Sequence, residues 1–309
     1  MYSYTLTQWL FYFYFYCFFG WCFESTYVSI KDRKLTNRGF MRGPFLPLYG
    51  SGGVMMLAVS MPFRDNVFLM FVAGCVGATL LEYVTGVVME ALFKVRYWDY
   101  SKQKFNFHGY ICLWSSLGWG FLTILMTVFL HVPVERMVLS IPDQVLTVAT
   151  IVLSVVVGLD FILSFKAAID LRNLLTKMGR AKKELVQIKN RLEAIVTSAG
   201  DSLGSRKDAL VENMEELKSG IEGMLERLKD MAINRPSAYL ESVKEELLEL
   251  KAKYAASVEL GRRLGGIKDF IQRQLLRGNP TMTSEEYKEE LEALKKQADR
   301  GGSKEAMEK

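Results

Sequence analysis

Four acidic side chains stand where acids are costly. Glu24, Glu82, Glu90 and Asp160 lie inside or at the edges of long apolar runs. A charge at mid-bilayer costs roughly 3 kcal/mol on insertion scales, so such residues normally face a bundle interior or water, where a cation or a hydrogen-bond donor can meet them. Glu82, Gly86 and Glu90 recur every four residues and therefore drift slowly round one side of a helix. Gly74 and Ala78 continue that side with small residues suited to close helix contact. The chemistry this pattern suits is a polar, inward-opening site lined by carboxylates, with Glu82 the deepest. The plainer alternative is that Glu24, Glu90 and Asp160 snorkel to the interface.

Two further stretches could complete such a site. In NRGFMRGPFLPLYGSGG, Arg38 and Arg42 precede a short run rich in Pro and Gly. Irregular backbone at membrane depth is tolerated only where protein or water covers it, and broken spans are common at transporter sites. Either arginine could offset the desolvation of the nearby acids; the alternative is ordinary topogenic arginines beside a kinked helix. In RYWDYSKQKFNFHGYICLWSSLGWG, Trp98 and Tyr100 are interface anchors, Asp99 is a lone acid that could pair with Arg96, and His108 beside Gly109 could exchange protons or simply hydrogen-bond at the interface. No P-loop, HExxH, GxSxG or EF-hand pattern is present, and no nucleophile stands beside a base. Cys17, Cys22, Cys75 and Cys112 form no CxxC pair, and His131 stands apart from them, so neither a metal site nor a cofactor is expected.

The elements that must hold these residues follow from hydropathy. The 309 residues are 50% hydrophobic, but the apolar runs end near residue 165 and a Lys-, Glu- and Leu-rich stretch follows. A bilayer core of about 30 Å needs roughly 20 apolar helical residues. Runs at Leu6–Ile30, Pro44–Met61, Val67–Phe93, Gly109–Val132 and Val145–Phe165 give about five spans. The first lacks a basic n-region and an A-x-A site, so it reads as retained rather than cleaved. The loops after runs one and three carry Lys31, Arg33, Lys34, Arg38, Arg42 and Lys94, Arg96, Lys102, Lys104, which places them in the cytoplasm. Five spans then put the N-terminus outside and the C-terminus inside. The expectation is an all-α, multi-pass transmembrane bundle over 1–165 and a cytoplasmic helical or coiled-coil domain over 166–309. The net charge of +5 sits in topogenic loops, so the partner of the basic residues is the lipid bilayer rather than nucleic acid.

Run five continues without Gly or Pro into a stalk. Leu171, Leu174, Met178, Ala181, Leu185, Ile188, Leu192 and Ile195 alternate by three and four, a seam that needs a partner helix. Gly200 and Gly204 interrupt it. Further seams run from Leu210 to Leu228 and from Leu240 to Tyr254, and Thr283 with Glu286 reads as a capping box for a last helix, with a frayed GGSKEAMEK end. Leu175 and Val196 widen the first stripe, which suits a bundle of three or more helices. Both an intramolecular bundle and pairing through 171–195 with another copy or a partner helix stay open.

The strings GWCFES, NRGFMRGPFLPLYGSGG, LEYVTGVVMEALF and WDYSKQKFNFHGYICLWSSLGWG resemble the bacterial membrane family labelled putative ABC-transporter type IV, or putative ABC transporter permease, over residues 8 to 165. Members often carry Asn and Arg around the glycine where this chain reads His108, Gly109 and Tyr110. The resemblance implies an inner-membrane, permease-like transport subunit that is not an enzyme and relies on a separate ATPase subunit. Two other readings stand beside it: a membrane scaffold or sensor acting through its coiled-coil domain, and a membrane enzyme on a lipid-linked substrate.

Overall fold

The structure is a computed structural model that describes residues 4–198, 222–223, 225–226, 245–246, 248–249, 251–255 and 270–307. It divides into two compact units, Met1–Asn173 with Ile267–Lys309, and Leu174–Gly266. The compositional boundary at 165/166 therefore differs from the packing boundary, because the last segment of the tail groups with the apolar bundle.

Helix α1 (Leu6–Asp32) starts at a capping box in which the Thr5 hydroxyl accepts the Gln8 N–H and Gln8 Oε1 accepts the Thr5 N–H. It packs against α2 (Pro47–Ser60), which begins with a proline in its first turn, where the missing N–H costs nothing. The backbones approach so closely that a Cβ on Gly50 would lie 2.3 Å from Cys17 Sγ. The glycines of the second run thus bring two helices together, and they do not break the helix.

Helix α3 (Val67–Phe93) shows why periodicity locates its acids. Val76, Leu80, Val84, Val88 and Leu92 are exposed at four-residue spacing, whereas Met70, Gly74, Ala78, Glu82 and Gly86 are buried at the same spacing. One stripe suits lipid and the other faces helix neighbours. A Cβ on Gly74 would lie 2.2 Å from Thr123 Oγ1 of α4 (Leu113–Leu125), so the small-residue stripe is where α4 docks. A π-turn, Met126–Leu130, joins α4 to α5 (His131–Leu139). Val67–Phe93, Leu113–Leu139 and the Asp143–Ile188 part of α6 (Asp143–Ser198) are long and apolar enough to cross a membrane. Helix α1 has the length but is not in that set, and α2, at 14 residues, is short for a span. The shared core gathers Tyr12 and Tyr16 of α1, Met56 and Leu57 of α2, Ala78 of α3, Met126, Val138 and Leu146.

Between α3 and α4 the chain forms a hairpin, β1 (Asn106–Phe107) with β2 (Ile111–Cys112); β2 occupies the start of the fourth apolar run, which hydropathy reads as helical from Gly109, whereas the helix begins at Leu113. His108 (φ 51°) and Gly109 (φ 74°) form its turn, and the Tyr110 N–H closes on the Phe107 carbonyl at 3.1 Å. Two successive left-handed residues define a type I′ turn, for which Asn-Gly is the favoured pair. His108 is exposed, with its ring against Phe107, so its place is at a turn and not at a buried proton site. His108→Asn is expected to leave thermal stability unchanged or slightly raised, while His108→Val lowers it by roughly 1–3 kcal/mol through strain at positive φ. Equal melting of the two variants in detergent would refute the turn assignment.

Helix α6 runs unbroken for 56 residues, roughly 84 Å at 1.5 Å per residue. Along its stalk Leu171, Leu175, Ala181 and Ile188 are buried. Leu175, which lies off the strict seam, is fully buried, and Leu174 is only partly so. Within the second unit, Arg191 pairs with Glu246 at 2.5 Å and Lys251 with Glu222 at 3.2 Å, so three stretches of sequence lie side by side there. The seam positions from Leu210 to Met224, Leu228, and those from Leu240 to Leu250 lie outside the described residues, apart from Tyr254, which is buried.

The C-terminal helices are α7 (Phe270–Gly278) and α8 (Lys288–Met307). The expected capping box at Thr283 and Glu286 is not formed. Thr283 instead pairs with Arg96 in an antiparallel bridge, N–H to carbonyl at 2.7 and 2.8 Å, and the Ser284 hydroxyl accepts the Tyr287 N–H. A backbone already committed to a strand partner cannot also cap a helix. The C-terminal glycines, expected to fray, lie within α8.

Candidate functional site

One cavity gathers two of the four acids that sequence singled out, Glu24 and Glu82. It measures about 480 Å³ and lies where the C-terminal parts of α1 and α3 meet the start of α2, the 97–100 segment, Trp119 of α4, Phe161 and Phe165 of α6, and Asn279. Among the described residues on its wall, the charged side chains are Glu24, Arg38 and Glu82. Phe40, Phe93, Tyr97, Trp98, Phe161 and Phe165 supply aromatic surface.

Glu82 is 5% exposed, about 11 residues from the end of α3 and so roughly 16 Å inside it. Its Oε1 accepts the Tyr100 hydroxyl at 3.0 Å, and its Oε2 accepts the Trp119 indole N–H at 2.9 Å and the Ser115 hydroxyl at 3.3 Å. No cation pairs with it among the described residues. Tyr100 reaches in from the hairpin loop, and burial and the neighbouring carboxylate both raise its pKa, so it stays a donor.

Glu24 is neutralised. Arg38 Nε lies 3.4 Å from its Oε1, and the Tyr49 hydroxyl donates to its Oε2 at 2.6 Å. The same guanidinium donates to the Gly278 carbonyl, Asn279 Oδ1 and Thr281 Oγ1, so one arginine ties α1 to the tail that borders the cavity. Of the two arginines proposed as partners, Arg38 fills that role for Glu24 and does not reach Glu82. Arg42 forms no ion pair among the described residues; its carbonyl accepts the amides of Asn37 and Gln274.

The other acids lie elsewhere. Glu90 is held by Arg96 at 2.6 Å and by the Tyr110 hydroxyl at 2.5 Å. Burial alone would lower the Arg96 pKa, but its bonds to Glu90 and the charge of Glu285 outweigh that and raise it. Asp160 accepts the Gly43 N–H at 2.8 Å and so orders the turn before α2. Asp99 accepts the Ser101 N–H at 2.9 Å, a local turn bond, while Arg96 turns to Glu90 and Glu285. Glu24 and Glu82 thus share the cavity wall, and Glu90, Asp160, Arg42, Asp99 and His108 do not.

A second polar cluster escaped sequence reading. At the opposite end of the bundle, buried His131 bonds the Tyr4 hydroxyl through Nε2 at 3.0 Å and the Tyr16 hydroxyl through Nδ1 at 2.7 Å, and Tyr4 also donates to Glu135. The i, i+4 spacing of His131 and Glu135 is the signal that could have found it. It was hidden because the fourth run ends at Val132 by hydropathy, whereas the helix continues to Leu139.

Three membrane-length helices around a cavity that holds the buried carboxyl of Glu82 define a multi-pass helical membrane protein. Residues 11–165, about half of the chain, match the family described as "Putative ABC-transporter type IV", and the chain belongs to that family. No curated protein and no solved structure matches it.

Proposed function

We propose that the chain is the membrane-embedded, permease-like subunit of a transport system, with the cavity between α1, α2, α3 and α6 as its substrate site and a separate ATPase as its motor. The observation that carries this reading is the cavity itself: about 480 Å³, within the size range of ligand pockets, aromatic-walled, and holding Glu82 with no cation paired to it among the described residues. In this reading α1 and α2 join the three long apolar helices to make five spans in a bacterial inner membrane. The N-terminus is outside, and residues 166–309 are in the cytoplasm, because both basic loops then face inward. The cavity wall is built from the ends of α1 and α3 that face the cytoplasm in this reading. The continuity of α6 from span to stalk favours a second reading, a membrane scaffold or sensor that passes changes in the bundle to the cytoplasmic unit. No catalytic step is assigned.

Purification of the full chain in mild detergent is expected to bring down an ATPase subunit, whose absence, with other cytoplasmic proteins recovered through the tail, would favour the scaffold. A C-terminal phosphatase fusion should be inactive and a C-terminal fluorescent protein bright; the reverse pattern would overturn the orientation.

A further inference from the structure

We propose that the cavity takes a lipophilic monocation, an organic ammonium with an apolar or aromatic body. The inference rests on the transport reading and names the substrate class of the same cavity.

Charge balance comes first. Glu24 and Arg38 cancel, and the hydroxyl and indole donors that converge on Glu82 favour its carboxylate form, which gives the wall one net negative charge. An ionised carboxylate offers about four lone-pair positions. Tyr100 and Trp119 occupy two of them, and the Ser115 hydroxyl, whose single proton is shared with the Cys112 carbonyl at 2.9 Å, lies 3.3 Å from a third. An indole N–H can only donate, so Trp119 requires Oε2 as an acceptor. These donors orient the carboxylate and leave at least one of its lone-pair positions without a donor among the described residues. A buried charge without a counter-charge is costly, and a bound cation is what completes it.

The wall chemistry agrees. Trp98, Trp119, Tyr100 and Phe93 line the same space, and aromatic rings attract a poorly hydrated cation. Leu46, Pro47, Leu48, Val88, Met89 and Leu92 add apolar surface, which suits a hydrocarbon body. An anion would meet net negative charge, and the sole guanidinium among the described wall residues is already engaged by Glu24, Gly278, Asn279 and Thr281. A neutral ligand offers the Glu82 carboxylate no counter-charge.

The test uses the purified full chain in mild detergent and three probes with one aromatic body: benzyltrimethylammonium, its neutral isostere neopentylbenzene, and benzenesulfonate. Calorimetry and the quenching of tryptophan fluorescence report binding. Saturable binding of the cation alone is expected, weakened at least tenfold by Glu82→Gln and unchanged by Asp160→Asn, which removes an acid outside the cavity. Thr85→Lys, which sets an ammonium on the cavity wall one helical turn from Glu82, should abolish binding with the carboxylate retained, and it decides the matter if Glu82→Gln is not monodisperse. Equal binding of the neutral probe, preference for benzenesulfonate, no binding of the cation, or a cation affinity indifferent to both substitutions would each overturn the cation assignment while leaving the transport reading to the ATPase co-purification. Cation binding without any ATPase partner would do the reverse.

Discussion

Glu82→Gln is expected to yield protein that inserts at normal levels and fails to complement a deletion strain. Gln keeps the volume and one acceptor oxygen for the donors around it, and it removes the charge. The stability change is small because two terms oppose each other: charge-assisted bonds become neutral ones, and the desolvation of a buried charge disappears. Glu82→Ala should differ in kind. It leaves the Tyr100 and Trp119 donors facing a void, at about 1–3 kcal/mol for each buried group that finds no water, while Ser115 keeps the Cys112 carbonyl. Membrane-inserted protein should then fall along with function. The comparison separates ionisation from packing. Full complementation by Glu82→Gln at normal expression would show that the charge is dispensable and would remove Glu82 from the site.

Arg96→Ala is expected to have the largest effect on stability. Its Nε lies 2.6 Å from Glu90 and an Nη 3.1 Å from Glu285, its guanidinium sits 4.9 Å from the Tyr110 ring centre, and its backbone pairs with Thr283. Truncation strands Glu90 with the Tyr110 hydroxyl alone. Breaking a buried pair costs about 3–5 kcal/mol, and the low end applies because Glu285 is exposed. The docked tail would lose one of its side-chain anchors, leaving the Thr281 and Ser284 hydroxyls on the Tyr97 and Lys94 carbonyls. A lower melting temperature in detergent and new protease cleavage between residues 279 and 288 should accompany the change. Arg96→Lys should recover only part, since an ammonium cannot reproduce the fork that spans two acids. Unchanged melting and cleavage would mean that the Glu90–Arg96–Glu285 contacts carry no stability.

What was legible in the sequence was whatever repeats with a helical period. Four-residue spacing put Gly74, Ala78, Glu82 and Gly86 on one side of α3, and they are buried together because a helix with a lipid-facing stripe has only one other face to bury. The absence of Gly and Pro between residues 159 and 178 specified α6 as one helix from apolar run to stalk, since nothing there interrupts the i to i−4 ladder. Hydropathy likewise marked the long apolar helices, because only an apolar run of that length can stay in lipid. Tertiary structure decided which polar groups meet. Arg38 joins Glu24 fourteen residues earlier and Asn279 far along the tail, and no periodicity encodes a partner 241 positions away. The hairpin at His108 and Gly109 carries Tyr100 under Glu82, and a turn's positive φ leaves only a two-residue trace in sequence. His131 and Glu135 become a buried pair only because the π-turn extends the fourth span past the point where its apolar run stops. Short-range spacing sets the face a residue occupies, and the long-range closure of loops and termini sets what that face touches.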